Sequence, residues 1–319
     1  MVSICCITYN HEKYIRQALD SFLMQKTNFK YEIIIHDDAS TDSSADIIRE
    51  YEKEYPDIIK PIYQKENKYS KDEEIEWKYV FPNAAGKYIA LCESDDFFTD
   101  ENKLQLQFDV MENNPQCSVC THTVRWVSEK GARTKWTLPQ KKMKEGYAET
   151  DEVIARHLFH TSSFFIRNTV IKDCIKAFPD FFRVFRMYKV NDVPTMLYCV
   201  SKGDVYFINR EMSCYRMNSI GSWSEKTRND ENLVLLHAKL FIDGINSFNK
   251  YTDFVYDKPI REHIDWHERI IMTANGDYRN AIKTASFKLL SAKGKTYLIL
   301  CAYAPKVIRL YRKVKYKNG

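Results

Sequence analysis

Three carboxylates crowd into four positions of this chain, Glu93, Asp95 and Asp96, directly after the apolar run at residues 88–92. Acids this close repel one another, raise each other's proton affinity and persist where a cation or strong hydrogen-bond donors hold them. Hard carboxylate oxygens at the end of a buried strand suit Mg²⁺ or Mn²⁺, ions that complete their shells with water and substrate phosphates. The chemistry indicated is metal-assisted handling of a diphosphate, and the plainer alternative is a solvated acidic turn.

Two further strand-like runs end in polar, ligand-capable residues. Residues 2–8 lead into Thr8, Tyr9 and Asn10, and residues 31–36 lead into Asp37 and Asp38. Asn10 is expected to cap a helix whose Ile15, Ala18, Leu19, Phe22 and Leu23 recur at helical spacing. Ile47, Ile48, Tyr51 and Tyr55 repeat that pattern after the second strand, and residues 58–63 and 87–92 supply a third and fourth strand. Strands alternating with helices predict an α/β, Rossmann-like fold, a mostly parallel sheet with helices on both faces. Ligands of such sheets bind beyond the carboxyl ends of the strands, so the three polar ends should share one rim. No GxGxxG or GxxxxGK[ST] loop follows any strand, which counts against dinucleotide oxidoreductases and P-loop NTPases.

Beyond residue 100 the pattern predicts a helix over 102–114, a strand over 117–123, a less regular stretch over 124–147 made of hairpins or a mobile loop, and strands over 205–208 and 212–215. Asp192 stands before a helical run, where an aspartate is an ordinary helix cap. His160 either positions an acceptor or phosphate or is a packed group, and Trp223 either stacks on a sugar ring or fills the core. Arg216 suits bidentate phosphate contact. His263 and His267 share a helix face, without the glutamate of a HExxH zinc site. From residue 229 the pattern is helical almost to the end.

At 319 residues, 44% hydrophobic and 14% aromatic, the composition is that of an ordinary globular chain. Nine cysteines, mostly in apolar runs, predict buried thiols and a reducing, cytoplasmic compartment. Residues 288–319 hold nine Lys or Arg and no acid, although the whole chain carries only +5. Interleaved with Leu289, Leu290, Val307, Ile308 and Leu310, these bases predict an amphipathic tail at the inner face of the cytoplasmic membrane. A packed helix with a solvated basic end is the alternative. No apolar run approaches the ~20 residues of a spanning helix. Nucleic-acid binding finds no supporting module.

The chain resembles the family 2 glycosyltransferases of GT-A fold, in particular those building bacterial capsule, O-antigen and related surface polysaccharides. The matching residues are Val2-Ser3-Ile4 with Thr8-Tyr9-Asn10, Glu32 through Asp42, Gly86 through Ala90 and Glu93-Ser94-Asp95-Asp96, with weaker likeness in His160 through Ser163, Asn191-Asp192 and Tyr215 through Ser224. The resemblance implies inverting transfer of a sugar from a nucleotide diphosphate, by family habit UDP, to a glycan or lipid-linked acceptor. Nucleotide-sugar contacts would fall to Thr8, Tyr9, Asn10, Asp37, Asp38, Asn67 and Asp95. Metal contacts would fall to Asp96, Asp95 and Glu93, acceptor contacts to His160, Trp223 and Arg216, and base catalysis to Asp192. It further implies a donor-binding half (1–100), an acceptor half (101–224) and a helical region (225–319). Glu93 departs from the more frequent aspartate and Asn218 from a frequent histidine. An inactive nucleotide-sugar-binding scaffold and a sugar nucleotidyltransferase are the rival readings.

Overall fold

The computed structural model describes residues 1–71, 73–140, 142–156, 158–187, 190–219 and 230–308. Its two compact units are Met1–Arg228 and Asn229–Gly319.

In the first unit β1 (Val2–Thr8), α1 (Ile15–Leu23), β2 (Tyr31–Asp37), α2 (Ser44–Glu54), β3 (Ile59–Tyr63) and β4 (Tyr88–Leu91) follow the expected alternation. Then come β5 (Phe97–Phe98), α3 (Lys103–Asn113), β6 (Cys117–Val127), β7 (Arg133–Leu138), β8 (Gly146–Tyr147), α4 (Thr150–Arg156) and β9 (Phe165–Arg167). The unit closes with α5 (Asn168–Ala177), α6 (Asp180–Arg186), α7 (Asp192–Lys202) and β10 (Asp204–Arg216). Among the described residues the strands make one sheet in the order β3-β2-β1-β4-β9-β6-β10-β5, with β7 on β6 and β8 on β10. β1, β2, β3, β4, β6 and β10 run one way and the other four oppose them, so the sheet is mixed with mostly parallel strands.

β1 and β4 are buried almost throughout, as expected for central parallel strands. α1 buries Ile15, Ala18, Leu19 and Phe22, the helical stripe seen in the sequence. Gly86 sets the approach of β4 to β1. A Cβ there would lie 2.5 Å from the Ser3 amide nitrogen, and the Gly86 N–H donates to Ser3 Oγ at 2.8 Å. Lys103 is fully buried, its Nζ donating to Gln107 Oε1 at 2.8 Å and lying 4.1 Å from the Phe98 ring centroid. All nine cysteines are buried free thiols.

Two sequence expectations change. Residues 205–208 and 212–215 belong to one strand, β10, whose polar middle is a place of shifted register against β6 between Ile208 and Ser213. The stretch over 124–147 takes the hairpin reading, holding the end of β6, the turn to β7, and β8. Asn10 caps no helix: α1 begins at Ile15 with Tyr14 at its N-cap, and Asn10 adopts φ 56° in the preceding turn.

The second unit contains helices Glu231–Tyr251, Asp257–Ala274, Tyr278–Ala281 and Ala292–Tyr303 and a 3₁₀ segment, Ala285–Leu289. His263 Nε2 lies 3.1 Å from His267 Nε2, with the Phe241 ring stacked on both. Helix Ala292–Tyr303 buries Leu298, Cys301 and Ala302 while Ile299 and Tyr303 are exposed. No described helix is long and apolar enough to cross a membrane. The bases from Arg309 onward lie outside the described residues.

Candidate active site

Three strand ends are stitched into one rim by backbone bonds. Thr8 pairs with Asp37 in the β1–β2 register, the Asp38 N–H donates to Thr8 O at 3.0 Å, and the Ser94 N–H donates to Ile7 O at 3.2 Å. His11 Nδ1 lies 2.7 Å from Ser94 Oγ, a second tie between the β1 loop and the acid loop. The rim therefore gathers Thr8, Asp37, Asp38, Asp95 and Asp96. All five are buried, and among the described residues Thr8 Oγ1 and Asp37 Oδ1 have no hydrogen-bond partner. Unsatisfied polar atoms in such a place cost on the order of 1–3 kcal/mol each.

The other donor-side residues have more specific surroundings. Asp38 accepts the Lys68 and Tyr69 amides at 2.7 and 2.9 Å, so its carboxylate holds the loop after β3. Asn67, in that loop, accepts the Ser70 N–H at 2.6 Å. Asn10 Oδ1 accepts the Thr41 N–H at 2.8 Å and its own N–H donates to Ser40 Oγ at 2.9 Å, which braces the β1 loop on the β2 loop. Tyr9 is 43% exposed, its ring presented to solvent.

The acid loop is clamped by the end of β10. The Arg216 N–H donates to Asp96 Oδ1 at 2.8 Å, and Ser219 Oγ donates to Asp95 Oδ2 at 2.5 Å. The Arg216 side chain is itself buried. Its Nε donates to Asp95 O at 2.8 Å, one terminal nitrogen to Glu129 O at 2.8 Å and the other to Gln17 Oε1 at 2.6 Å. The guanidinium also lies 4.8 Å from the Tyr14 ring centroid and 5.4 Å from that of Phe97. These contacts correct the expectation of an acceptor contact at Arg216: its donors are turned inward onto the acid loop, α1 and the β6–β7 hairpin.

Burial, then the neighbouring Asp95 charge, pushes the Asp96 carboxyl well above the usual carboxylate range. His160 does little to offset this. Its Nδ1 lies 3.7 Å from Asp96 Oδ2 but accepts the Ser162 N–H at 3.2 Å, so that nitrogen carries no proton. Glu93 keeps solvent-accessible surface at the crevice mouth. The protein packed around it, with the charges of Asp95, Glu76 and Asp192, still raises its carboxyl well above the ordinary range.

Glu76 is a residue the sequence reading missed. It opens a π-helical turn, Glu76–Val80, lines a crevice with Glu93 and Thr161, and accepts a 2.8 Å hydrogen bond from Asn191 Nδ2. Burial, and then the Asp192 charge, raise its carboxyl. The available signal was weak, an acidic residue in a charged stretch whose π-turn breaks helical periodicity. Asp192 is the first residue of α7, half-buried, and the bond from Asn191 fixes the helix start beside the acids. Trp223 lies outside the described residues.

Among the described residues no three His, Cys, Asp or Glu side chains converge as a preformed metal cage. The donor set is nevertheless hard oxygen, and burial, with the charges of neighbouring acids, raises the proton affinity of Asp96 and Glu93. A divalent cation sharing its shell with phosphates and water would relieve that condition.

The first unit is thus a mixed α/β sheet whose three polar strand ends and acid loop share one rim. The family model of Glycosyl transferase family 2 matches residues 3–179, more than half the chain, and the chain belongs to that family. An uncharacterized protein of Mycobacterium tuberculosis is 34% identical over 226 residues, 70% of this chain and 60% of the relative. The minor teichoic acid biosynthesis protein GgaA of Bacillus subtilis is 26% identical over 293 residues, 89% of this chain and 62% of GgaA. The chain thus spans about three fifths of the length of these relatives. In fold it is similar to S. aureus TarS 1–349 in complex with UDP (TM-score 0.53, 16% identity, 94% of this chain and 86% of that one). It is likewise similar to the mannosyltransferase PcManGT from Pyrobaculum calidifontis in complex with GDP-Man and Mn²⁺ (TM-score 0.57, 13% identity, 95% and 81%). These similarities show the GT-A fold.

Proposed function

We propose that this chain transfers a sugar, with inversion, from a nucleotide diphosphate donor to a hydroxyl of a glycan or lipid-linked acceptor in bacterial surface-polysaccharide synthesis. The observation that carries the reading is the rim on which Thr8, Asp37, Asp38, Asp95 and Asp96 meet around uncompensated charge. The two orphaned polar atoms on that rim, Thr8 Oγ1 and Asp37 Oδ1, suit the donors and acceptors of a nucleoside. Tyr9 offers an exposed ring against which a base can stack. A teichoic acid protein among the relatives and UDP in a structural neighbour support a cell-envelope role and a UDP donor.

Asp96, with Asp95 or Glu93, would hold Mg²⁺ or Mn²⁺. When bound, the ion neutralises charge that grows on the departing diphosphate. Asp192 takes the proton from the acceptor hydroxyl as its oxygen bonds to the sugar C1 and the C1–O bond to the diphosphate breaks, releasing the nucleoside diphosphate. Positioned general bases contribute roughly 10² to 10⁴ in rate. Arg216 holds the acid loop rather than the acceptor. The basic end of the chain supports peripheral attachment to an anionic membrane. Flotation with anionic vesicles, with and without residues 289–319, tests it: equal behaviour of the two forms removes that attachment.

For the reaction, Asp192→Asn is expected to bind UDP in the presence of Mn²⁺ as the wild type does and to lose roughly 10²-fold or more in transfer. Near-normal turnover by the folded variant would remove Asp192 as the base. Full activity in excess chelator would remove the metal.

A further inference from the structure

A row of aromatic rings leads away from the acid site. From Asp96 the row runs to His160, whose ring lies 4.3 Å from that of Tyr215, and on to Trp126, 5.8 Å from Tyr215. Trp126 belongs to β6, and the neighbouring β7 carries Trp136, 48% exposed, with Lys135 Nζ 5.1 Å from its ring centroid. The β6–β7 hairpin is fixed to the acid site at its turn. Arg216 bonds Glu129 O as well as Asp95 O, and the Tyr14 hydroxyl donates to Glu129 Oε1 at 3.0 Å.

This hairpin and the segment after it are strongly basic. Residues 130–144 contain six Lys or Arg and no Asp or Glu. Arg133 is engaged by Glu211, but Lys130, Lys135, Lys142 and Lys144 are all exposed. A cluster of one sign raises the local concentration of opposite charge over about a Debye length, ~8–10 Å. Flat rings with polar edges are good platforms for the C–H faces of sugars and polyols. Charge alone would suit any polyanion, but the aromatic row begins beside Asp96, in the acid site.

We propose that the His160–Tyr215–Trp126 row and the basic β6–β7 hairpin form an acceptor track for an anionic glycan, one bearing phosphodiesters or carboxylates. The inference rests on the transfer reading above and deepens it by naming the class of acceptor. The reacting hydroxyl lies at Asp192, beside the acid site, and the charged body of the chain passes His160 and follows the hairpin.

The test uses the full chain and a variant combining Lys135→Gln, Lys142→Gln, Lys144→Gln and Trp136→Ala, exposed positions outside the donor site. Binding is measured by affinity electrophoresis against poly(ribitol phosphate), polygalacturonate, neutral dextran, single-stranded DNA and phosphatidylglycerol vesicles, at low and high salt. The wild type is expected to bind one of the two anionic glycans and not dextran. That binding weakens about tenfold in the variant and in high salt. UDP binding with Mn²⁺ stays unchanged in the variant. The proposal is overturned if neither anionic glycan binds, if the variant binds as the wild type does, or if DNA or vesicles bind as tightly and lose the same factor. Donor hydrolysis without acceptor reports on the transfer reading separately: a chain that holds the glycan but neither binds UDP nor cleaves a UDP-sugar loses that reading and keeps the track.

Discussion

Replacing Arg216 by lysine separates its bracing role from an acceptor role. The guanidinium fans three donors onto Asp95 O, Glu129 O and Gln17 Oε1, a fork that a single ammonium does not reproduce. Gln17 is exposed and turns to water at little cost, whereas Asp95 is buried. If the ammonium keeps one of the two carbonyls, the other, left unmet, costs ~1–3 kcal/mol. Losing the stacked guanidinium from Tyr14 and Phe97 adds ~1–2 kcal/mol. Arg216→Lys is therefore expected to destabilise the first unit by about 3 kcal/mol, a large part of the ~5–15 kcal/mol typical of a domain. It should also weaken UDP binding in Mn²⁺, because Asp95 and Asp96 lose their frame. Urea unfolding followed by tryptophan fluorescence reads the first effect and a UDP titration the second. A variant with wild-type midpoint and UDP affinity, impaired only in acceptor KM, would refute the bracing argument and restore the acceptor contact.

Asp96→Asn keeps an oxygen for the Arg216 amide and removes one charge from the acid loop, so the metal-free protein should unfold at a higher temperature while transfer is lost; a lower melting temperature counts against uncompensated repulsion there. Lys103→Met tests the buried lysine, whose proton affinity burial lowers from 10.5 to about 7. Between those pH values the unfolded chain holds a proton that the folded chain does not, so wild-type stability rises with pH across that window. At 1.36 kcal/mol per pH unit the full penalty is up to ~5 kcal/mol, and the stranded Gln107 oxygen offsets ~1–3 of it. The methionine variant should gain about 2–3 kcal/mol at or below pH 7 and lose that advantage towards pH 10.5, and denaturation midpoints showing no pH trend would contradict this. Glu76→Ala should lower kcat about tenfold at unchanged UDP affinity. Glu76→Gln, which still accepts from Asn191, should restore most of it, and failure of that rescue would mean the Asn191 bond does not position Asp192.

The rim of strand ends in the first hundred residues was legible because its signals are local. β1, β2 and β4 are buried runs that stop at polar residues, and parallel topology carries their ends to one edge. Local pattern failed where the partner is remote. Asn10 looks like a helix cap, yet its carboxamide goes to Thr41, thirty-one positions away. Arg216 follows a strand and borders polar residues, the usual setting of an exposed base, but its partners are residues 17, 95, 96 and 129. The polar centre of β10 read as a break between two strands because the shifted register that accommodates it depends on β6. Glu76 was hidden by the π-turn, whose periodicity matches neither helix nor strand templates.

The nine cysteines have a practical consequence. Each thiol is buried, which keeps alkylating reagents from it in the folded chain, and burial pushes Cys117 and Cys214 up to about 11. A single introduced sulfur, as in Trp136→Cys, would be the preferred target of a maleimide fluorophore or nitroxide without first stripping the native sulfurs. Spectroscopy can then follow the hairpin in real time as donor and polymer arrive.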